Sequence, residues 1–280
     1  MTHSVHPFRL QSAEGLPLRG NLHAPAAPAG PPVLIVHGFK GFKDWGFMPV
    51  LAARLAEAGF PACRFNLSGS GVGDDDERFG EPANFERNTY SKEQADIATL
   101  LDALAAGALP GLQGSSERLG LLGHSRGGGG AILAAARDAR VRGLVTWAAI
   151  GTVQRYDDAA RADWRRRGYH RVTNGRTGDV FDIGTAALDD VEQNAAALDI
   201  LAAARRLEIP TLVVHGTADD SVPFAEGEAI AAALGERGRF LPMPGAGHTF
   251  GAAHPMPAAL PPDLDRVLKA TVEHFSRTLR

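Results

Sequence analysis

Short apolar runs alternate with longer stretches of helical periodicity along most of this chain, and that rhythm limits its possible folds more than any other feature. Val33-Leu34-Ile35-Val36 contains no polar residue, so a strand there offers neither face to water. Strands of this kind belong in sheets covered by helices on both faces, and such sheets are mostly parallel. Similar runs lie at 60–66, 118–122, 141–147, 211–214 and 239–243. Residues 6–11 and 16–23, joined across Ala13-Glu14-Gly15, form an expected opening antiparallel pair. Eight strands result, enough for one large sheet.

Helices are expected over 47–58, stopped by Gly59, and from a capping box at Ser91 and Gln94 to about residue 106. Two more are expected over 127–136 and, with an amphipathic pattern, over 263–279. The Pro-, Ala- and Gly-rich stretch 24–32 is a loop rather than a linker, because a strand follows at once. The rhythm breaks over 151–188. There a polar helical stretch, 157–167, precedes Tyr169-His170-Arg171-Val172-Thr173, the hairpin turn signal Asn174-Gly175 and a short return over 179–182. A single domain over 1–280 with a lid insertion at 151–188, helix plus short hairpin, is the expected organisation.

Composition excludes more than it assigns. Hydrophobic residues make up 44% of 280, enough for a sizeable core, and a net charge of −3 gives no electrostatic footprint for nucleic acid or an anionic membrane. Arg165-Arg166-Arg167 has acidic residues on both sides and suits a solvated helix face. The N-terminus lacks an apolar run of signal-peptide length and no window approaches a membrane span, so a cytoplasmic protein is expected. Cys63, the single cysteine, allows no intramolecular disulfide and no cysteine metal site, and it suits a small buried hydrophobe better than a nucleophile.

Gly123-His124-Ser125-Arg126-Gly127 follows one expected strand and opens an expected helix. A serine on so sharp a turn has strained backbone angles, and glycines two positions away remove side chains that would crowd it. The helix N-terminus adds free N–H groups beside the serine oxygen. A hydroxyl nucleophile needs a base, and the base needs an orienting acid. Acids follow the strand at 211–214, in His215-Gly216-Thr217-Ala218-Asp219-Asp220, at the carboxyl edge where sites in α/β sheets gather. A histidine follows the last strand, in Gly245-Ala246-Gly247-His248.

With these motifs the sequence resembles the α/β-hydrolase superfamily, and within it the small carboxylesterases and feruloyl- or cinnamoyl-esterase-like serine hydrolases. The resemblance spans nearly the whole chain. It rests on His37-Gly38-Phe39, Phe65 to Gly71, the Ser125 elbow, His215-Gly216 through Val222-Pro223, and Gly247-His248. It implies an α/β-hydrolase fold with a mostly parallel eight-stranded sheet, and a triad of Ser125, His248 and Asp219. The family register selects Asp219 over Asp220. It also implies an oxyanion hole of backbone N–H groups from Phe39 and Arg126, with a small-molecule ester as substrate and no cofactor or metal. Arg126 departs from many relatives, which carry an uncharged residue after the serine.

Other residues draw blander expectations. His37 and His215 are expected to be structural, His124 to point away from the cleft, and His254 is the rival base. Gly69-Ser70-Gly71-Val72-Gly73 lacks the spacing of a dinucleotide loop, and Asp74-Asp75-Asp76-Glu77 lacks that of a calcium loop. Trp147, Trp164, Tyr169 and Phe181 are candidate walls of a substrate pocket. A peptidase or acyl-peptide hydrolase with the same triad is the alternative, although such relatives usually carry an N-terminal propeller for which this chain has no room. A thioesterase and a non-catalytic binding module on the same fold complete the set.

Overall fold

The computed structural model describes residues 3–75, 77–174 and 178–280. Strands β1 (His3–Gln11), β2 (Pro17–Pro25), β3 (Val33–Val36), β4 (Ala62–Asn66), β5 (Leu119–His124) and β6 (Val141–Trp147) come first. A two-stranded hairpin, β7 (Tyr169–Thr173) and β8 (Val180–Gly184), stands apart, and β9 (Thr211–Gly216) and β10 (Gly238–Met243) complete the set. The main sheet has eight strands in the order β1-β2-β4-β3-β5-β6-β9-β10. Pairings β1–β2 and β2–β4 are antiparallel and all the others are parallel. This is the α/β-hydrolase fold.

Side-chain alternation divides the core. Val33 and Ile35 of β3 face one hydrophobic cluster with α1 (Phe47–Glu57) and the C-terminal helix. Leu34 and Val36 face another, built on α3 (Tyr90–Ala105) and α4 (Arg126–Ala135). The other helices are α2 (Pro82–Glu86), α5 (Asp158–Arg167), α6 (Thr185–Gln193), α7 (Ile200–Arg206), α8 (Phe224–Leu234) and α9 (Pro262–Thr278), the C-terminal one. Helices therefore cover both faces, as the apolar β3 requires. Cys63 is buried in β4, where burial pushes its thiol pKa up. Among the described residues, no helix is long and apolar enough to cross a membrane.

Several local expectations need correction. The cap of α3 is Thr89, whose hydroxyl accepts from Lys92 N, not Ser91. Ser91 N donates to Asp190 and Gln94 reaches the carbonyl of Gly130, so tertiary partners took both residues of the expected box. The expected hairpin forms, with Asn174 N donating to Asp179 O at 2.8 Å at the mouth of its loop. Gly175 itself lies outside the described residues, as does Asp76. Helices α2, α6, α7 and α8 have no counterpart in the sequence expectations. In α8 the missing signal is Gly227, an apparent breaker: a Cβ there would lie 2.5 Å from His215 Nδ1, so the glycine lets the helix lie close on β9.

Within 151–188 lie α5, β7, β8 and the first turn of α6. They rest on a third small cluster, in which the Phe181 ring packs tilted against Phe85 of α2 at 4.7 Å and edge-on against Phe79 at 4.9 Å. Arg165 pairs with Asp189 and Glu192, and Arg166 and Arg167 pair with Asp163, so the basic run is the solvated helix face expected of it.

Candidate active site

The turn between β5 and α4 is built by steric necessity. Ser125 has φ 58° and ψ −123°, a left-handed conformation that a non-glycine residue adopts only when its surroundings hold it there. Its N–H donates to Trp147 O at 2.8 Å, and its carbonyl accepts from Ile150 N at 3.2 Å, so the end of β6 clamps it on both sides. A Cβ on residue 123 would fall 2.1 Å from Gly127 O, and one on residue 127 would fall 2.3 Å from His37 O. Both positions must be glycine.

The loop after β3 reaches the same place. A Cβ on Gly38 would lie 2.9 Å from Ser125 Cβ, so this loop runs against the serine. His37 holds it from behind, accepting from Leu67 N at 3.2 Å through Nε2 and bonding Gly38 O at 2.8 Å through Nδ1. That pattern puts the proton on Nδ1, and burial keeps His37 neutral by lowering its pKa. Among the described residues neither Phe39 N–H nor Arg126 N–H has a protein acceptor.

The loops after β9 and β10 are stitched together. Thr217 N donates to Met243 O and Ala218 N to Ala246 O, both at 3.0 Å. A Cβ on Gly216 would lie 2.2 Å from Ala246 O, so glycine is again the only residue that fits. The result sets His248 Nδ1 at 2.8 and 3.1 Å from the two Asp219 oxygens. Asp219 also accepts from Ser221 N and Val222 N, both at 2.9 Å, and lies 3.3 Å from His215 Nε2. Burial alone would raise the Asp219 pKa. Hydrogen bonds from His215, His248 and the Val222 amide outweigh it and hold the carboxyl well below the usual carboxylate range. Asp220 instead turns to Ser221 on the surface.

Ser125 and His248 border one cavity of about 420 Å³, together with Phe39, Tyr90, Arg126 and Trp164. The hydrogen bonds of His248 run to Asp219 and, through its carbonyl, to His124, with none to Ser125 in this resting structure.

Of the four expected pocket walls only Trp164 borders this cavity. Trp147 is fully buried, donating to Thr271 Oγ1 of α9 at 3.0 Å, because its strand position faces the core on the α9 side. Phe181 is consumed by the Phe79–Phe85 cluster, and Tyr169 is at the base of the hairpin, paired with Gly184 and under Arg171. His124 does not point away from the cleft. It borders the cavity, bonds His248 O at 3.0 Å and packs its ring 4.7 Å from that of His248. His215 is buried, as expected of a structural residue, but it also touches Asp219, which its strand-end position signalled. His254 accepts from Gly46 N at 3.1 Å and packs on Phe42, which removes it as a rival base. Residues the sequence did not single out include Lys40, Arg155, Tyr156 and Arg161, all at the cavity and three of them in the arrhythmic segment.

The glycine loop at 69–73 is a turn, with Ser70 N on Leu67 O and Glu81 N on Gly71 O, and opens no helix. Asp74 pairs with Arg19 at 2.8 Å. No group of three or more potential metal ligands is found among the described residues.

No curated protein matches the chain. Solved structures do, at low identity. Dienelactone hydrolase from Anabaena variabilis ATCC 29413 superposes with a TM-score of 0.67 and 21% identity over 100% of both chains. Est1E from Butyrivibrio proteoclasticus gives 0.67 and 18%, covering 97% of this chain and 98% of its own. Acylaminoacyl peptidase from Pyrococcus horikoshii gives 0.69 and 19% over 100% of this chain and 42% of its own. These likenesses carry the fold alone. Residues 45–260 match the Prolyl oligopeptidase family, which is most of the chain. The chain therefore belongs to the prolyl oligopeptidase family and is a serine hydrolase of the α/β-hydrolase type.

Proposed function

We propose that the protein hydrolyses carboxylic esters of small molecules through an acyl-enzyme intermediate, with Ser125 as nucleophile, His248 as base and Asp219 as orienting acid. The observation that carries this is the Asp219–His248 pair bordering the same cavity as the strained Ser125. Asp219 holds the Nδ1 proton of His248 and leaves Nε2 as the acceptor. Ser125 Oγ attacks the ester carbonyl as Nε2 takes its proton, and a C–O bond forms while the carbonyl π pair moves to oxygen. The Phe39 and Arg126 N–H groups receive that oxyanion. Collapse expels the alcohol, which takes the proton from His248. Water, deprotonated by the same histidine, then attacks the acyl-enzyme and releases the acid. The residues need no metal or organic cofactor for this sequence. A cytoplasmic site of action belongs to the same proposal.

Ester cleavage rests on the sequence resemblance and on the fold shared with Est1E, a protein whose structure was also solved with ferulic acid bound. The family match favours a second reading, peptide or acyl-peptide hydrolysis by the same residues. Fluorophosphonate labelling should mark wild type and not Ser125→Ala, whose kcat should fall by several orders of magnitude at an unchanged melting temperature. Wild-type-like turnover by Ser125→Ala would remove the assignment. A panel of matched esters, thioesters and anilides then decides between the readings, and faster anilide than ester cleavage would sink the esterase.

A further inference from the structure

The charges around the cavity are of one sign. Lys40, Arg126, Arg155 and Arg161 border it, and among the described residues no aspartate or glutamate does. The three arginines pair with acids outside that lining: Arg126 with Glu93, Arg155 with Glu226 and Arg161 with Asp158. A chain with net charge −3 has thus concentrated cations where its substrate enters.

Arg126 is the most constrained of these. Its Nε donates to Glu93 Oε2 at 3.0 Å, and Asn88 Nδ2 holds the other Glu93 oxygen at 2.7 Å. The guanidinium carbon sits 3.7 Å from the centre of the Tyr90 ring, and the side chain is only 15% exposed. Burial alone would weaken its hold on the proton, but Glu93 raises the pKa, so the charge is permanent. Yet among the described residues both Nη groups lack a protein acceptor. A buried ion pair is weak evidence of a stabilising role, since apolar residues of similar size commonly serve as well. A pair kept one residue from the nucleophile, with its two terminal donors open to the cavity, suits recognition better.

We propose that Arg126 is the anchor for a carboxylate on the substrate, so that the protein acts on anionic esters. The planar guanidinium, held at Nε and stacked on Tyr90, is preoriented to present paired N–H donors to two carboxylate oxygens. Arg155 has Nη1 on Glu226 at 2.6 Å, and it and Arg161 add to the field from the segment facing the sheet edge. This inference rests on the ester reading for its turnover, but not for its binding.

The carboxylate can reside on the acyl or the alcohol part, and two pairs of probes separate them. Mono-4-nitrophenyl glutarate is compared with its methyl ester, and 4-acetoxybenzoate with methyl 4-acetoxybenzoate. At low salt the anionic member of at least one pair should be preferred by about tenfold or more in kcat/KM, and that ratio should fall about tenfold in Arg126→Gln. Arg126→Lys, which keeps the charge without the fork, should fall between the two. Calorimetric binding of glutarate and 4-hydroxybenzoate to wild type and Ser125→Ala, against their amides, needs no turnover. Tighter binding of a carboxylate than its amide, weakened about tenfold or more by Arg126→Gln, supports the anchor even if no ester is cleaved, in which case the ester reading alone fails. Neutral esters cleaved as well as anionic ones, with no preference for carboxylate over amide in binding, would overturn the anchor and leave the ester reading intact.

Discussion

Two regions meet at the cavity and are held in place by different forces. On the sheet side, backbone hydrogen bonds tie the loop after β9 to that after β10 and the Ser125 turn to the end of β6, and glycines at 38, 123, 127 and 216 allow contacts that a Cβ would block. On the facing side, α5, the β7–β8 hairpin and α6 rest on aromatic packing and on exposed ion pairs such as Arg165–Asp189 and Arg171–Asp182. Exposed pairs contribute little each, roughly 0–1 kcal/mol, and are screened by salt. The difference separates two requirements. Bond-making needs atoms held to a fraction of an ångström, which backbone contacts provide, whereas substrate choice tolerates side chains that adjust.

The sheet side should be unforgiving. Asp219→Asn should lower kcat by about a thousandfold to ten-thousandfold, because the amide no longer holds His248 in the tautomer that accepts from Ser125. Asp220→Asn, whose carboxylate bonds Ser221 alone among the described residues, should stay within a fewfold of wild type. Equal losses measured by steady-state kinetics would mean that the orienting acid has been misassigned.

Next in size is Gly216→Ala. Its methyl group would displace Ala246 O and with it the loop that carries His248. Since misplacement of about 1 Å can cost on the order of a hundredfold, kcat should drop by about that much. Normal turnover would show the two loops to be less tightly coupled than their contacts imply.

The facing side should respond in selectivity instead. Replacing residues 170–183 with a short Gly-containing turn spares Ser125, Asp219 and His248, yet removes Asn174 and Ile183 from the cavity wall. The ratio of aryl-ester to acetate kcat/KM should fall by about tenfold. A parallel loss on both substrates, in step with a lower melting temperature, would make the hairpin a packing element only.

The last contrast is in stability rather than turnover, between two buried acids. Asp219 has a depressed pKa, so its contribution to stability is present above the unfolded carboxylate pKa and is lost as pH falls below about 4. Asp96, behind the loop after β4, accepts among the described residues only from Ser68 N and Oγ, both at 2.8 Å, and burial raises its pKa to about 6. Its contribution runs the other way, being full below about 4 and lost as pH rises to about 6. Between pH 4.5 and 7 this group alone should cost about 2 kcal/mol of unfolding free energy, and Asp96→Asn should flatten that part of the profile. Identical pH profiles for wild type and variant would show that Asp96 ionises without penalty.

The sequence by itself determined the eight strands of the main sheet and the sharp turn that carries Ser125, because burial on both faces demands continuous apolar runs and a sharp strand-to-helix turn demands glycines at fixed offsets. Such constraints are local, and composition at a few positions records them. Only the tertiary structure decided what borders the cavity. Trp147 and Phe181 looked as suitable as Trp164, but one was claimed by α9 and the other by Phe79 and Phe85. Thr89 rather than Ser91 caps α3 because Asp190 takes the Ser91 amide. Arg126 acquired its stack on Tyr90 and its pair with Glu93 from α3, more than thirty residues away in sequence. Which side chains a cavity keeps depends on competition among distant partners for the same surface, and no periodicity along the chain encodes that competition.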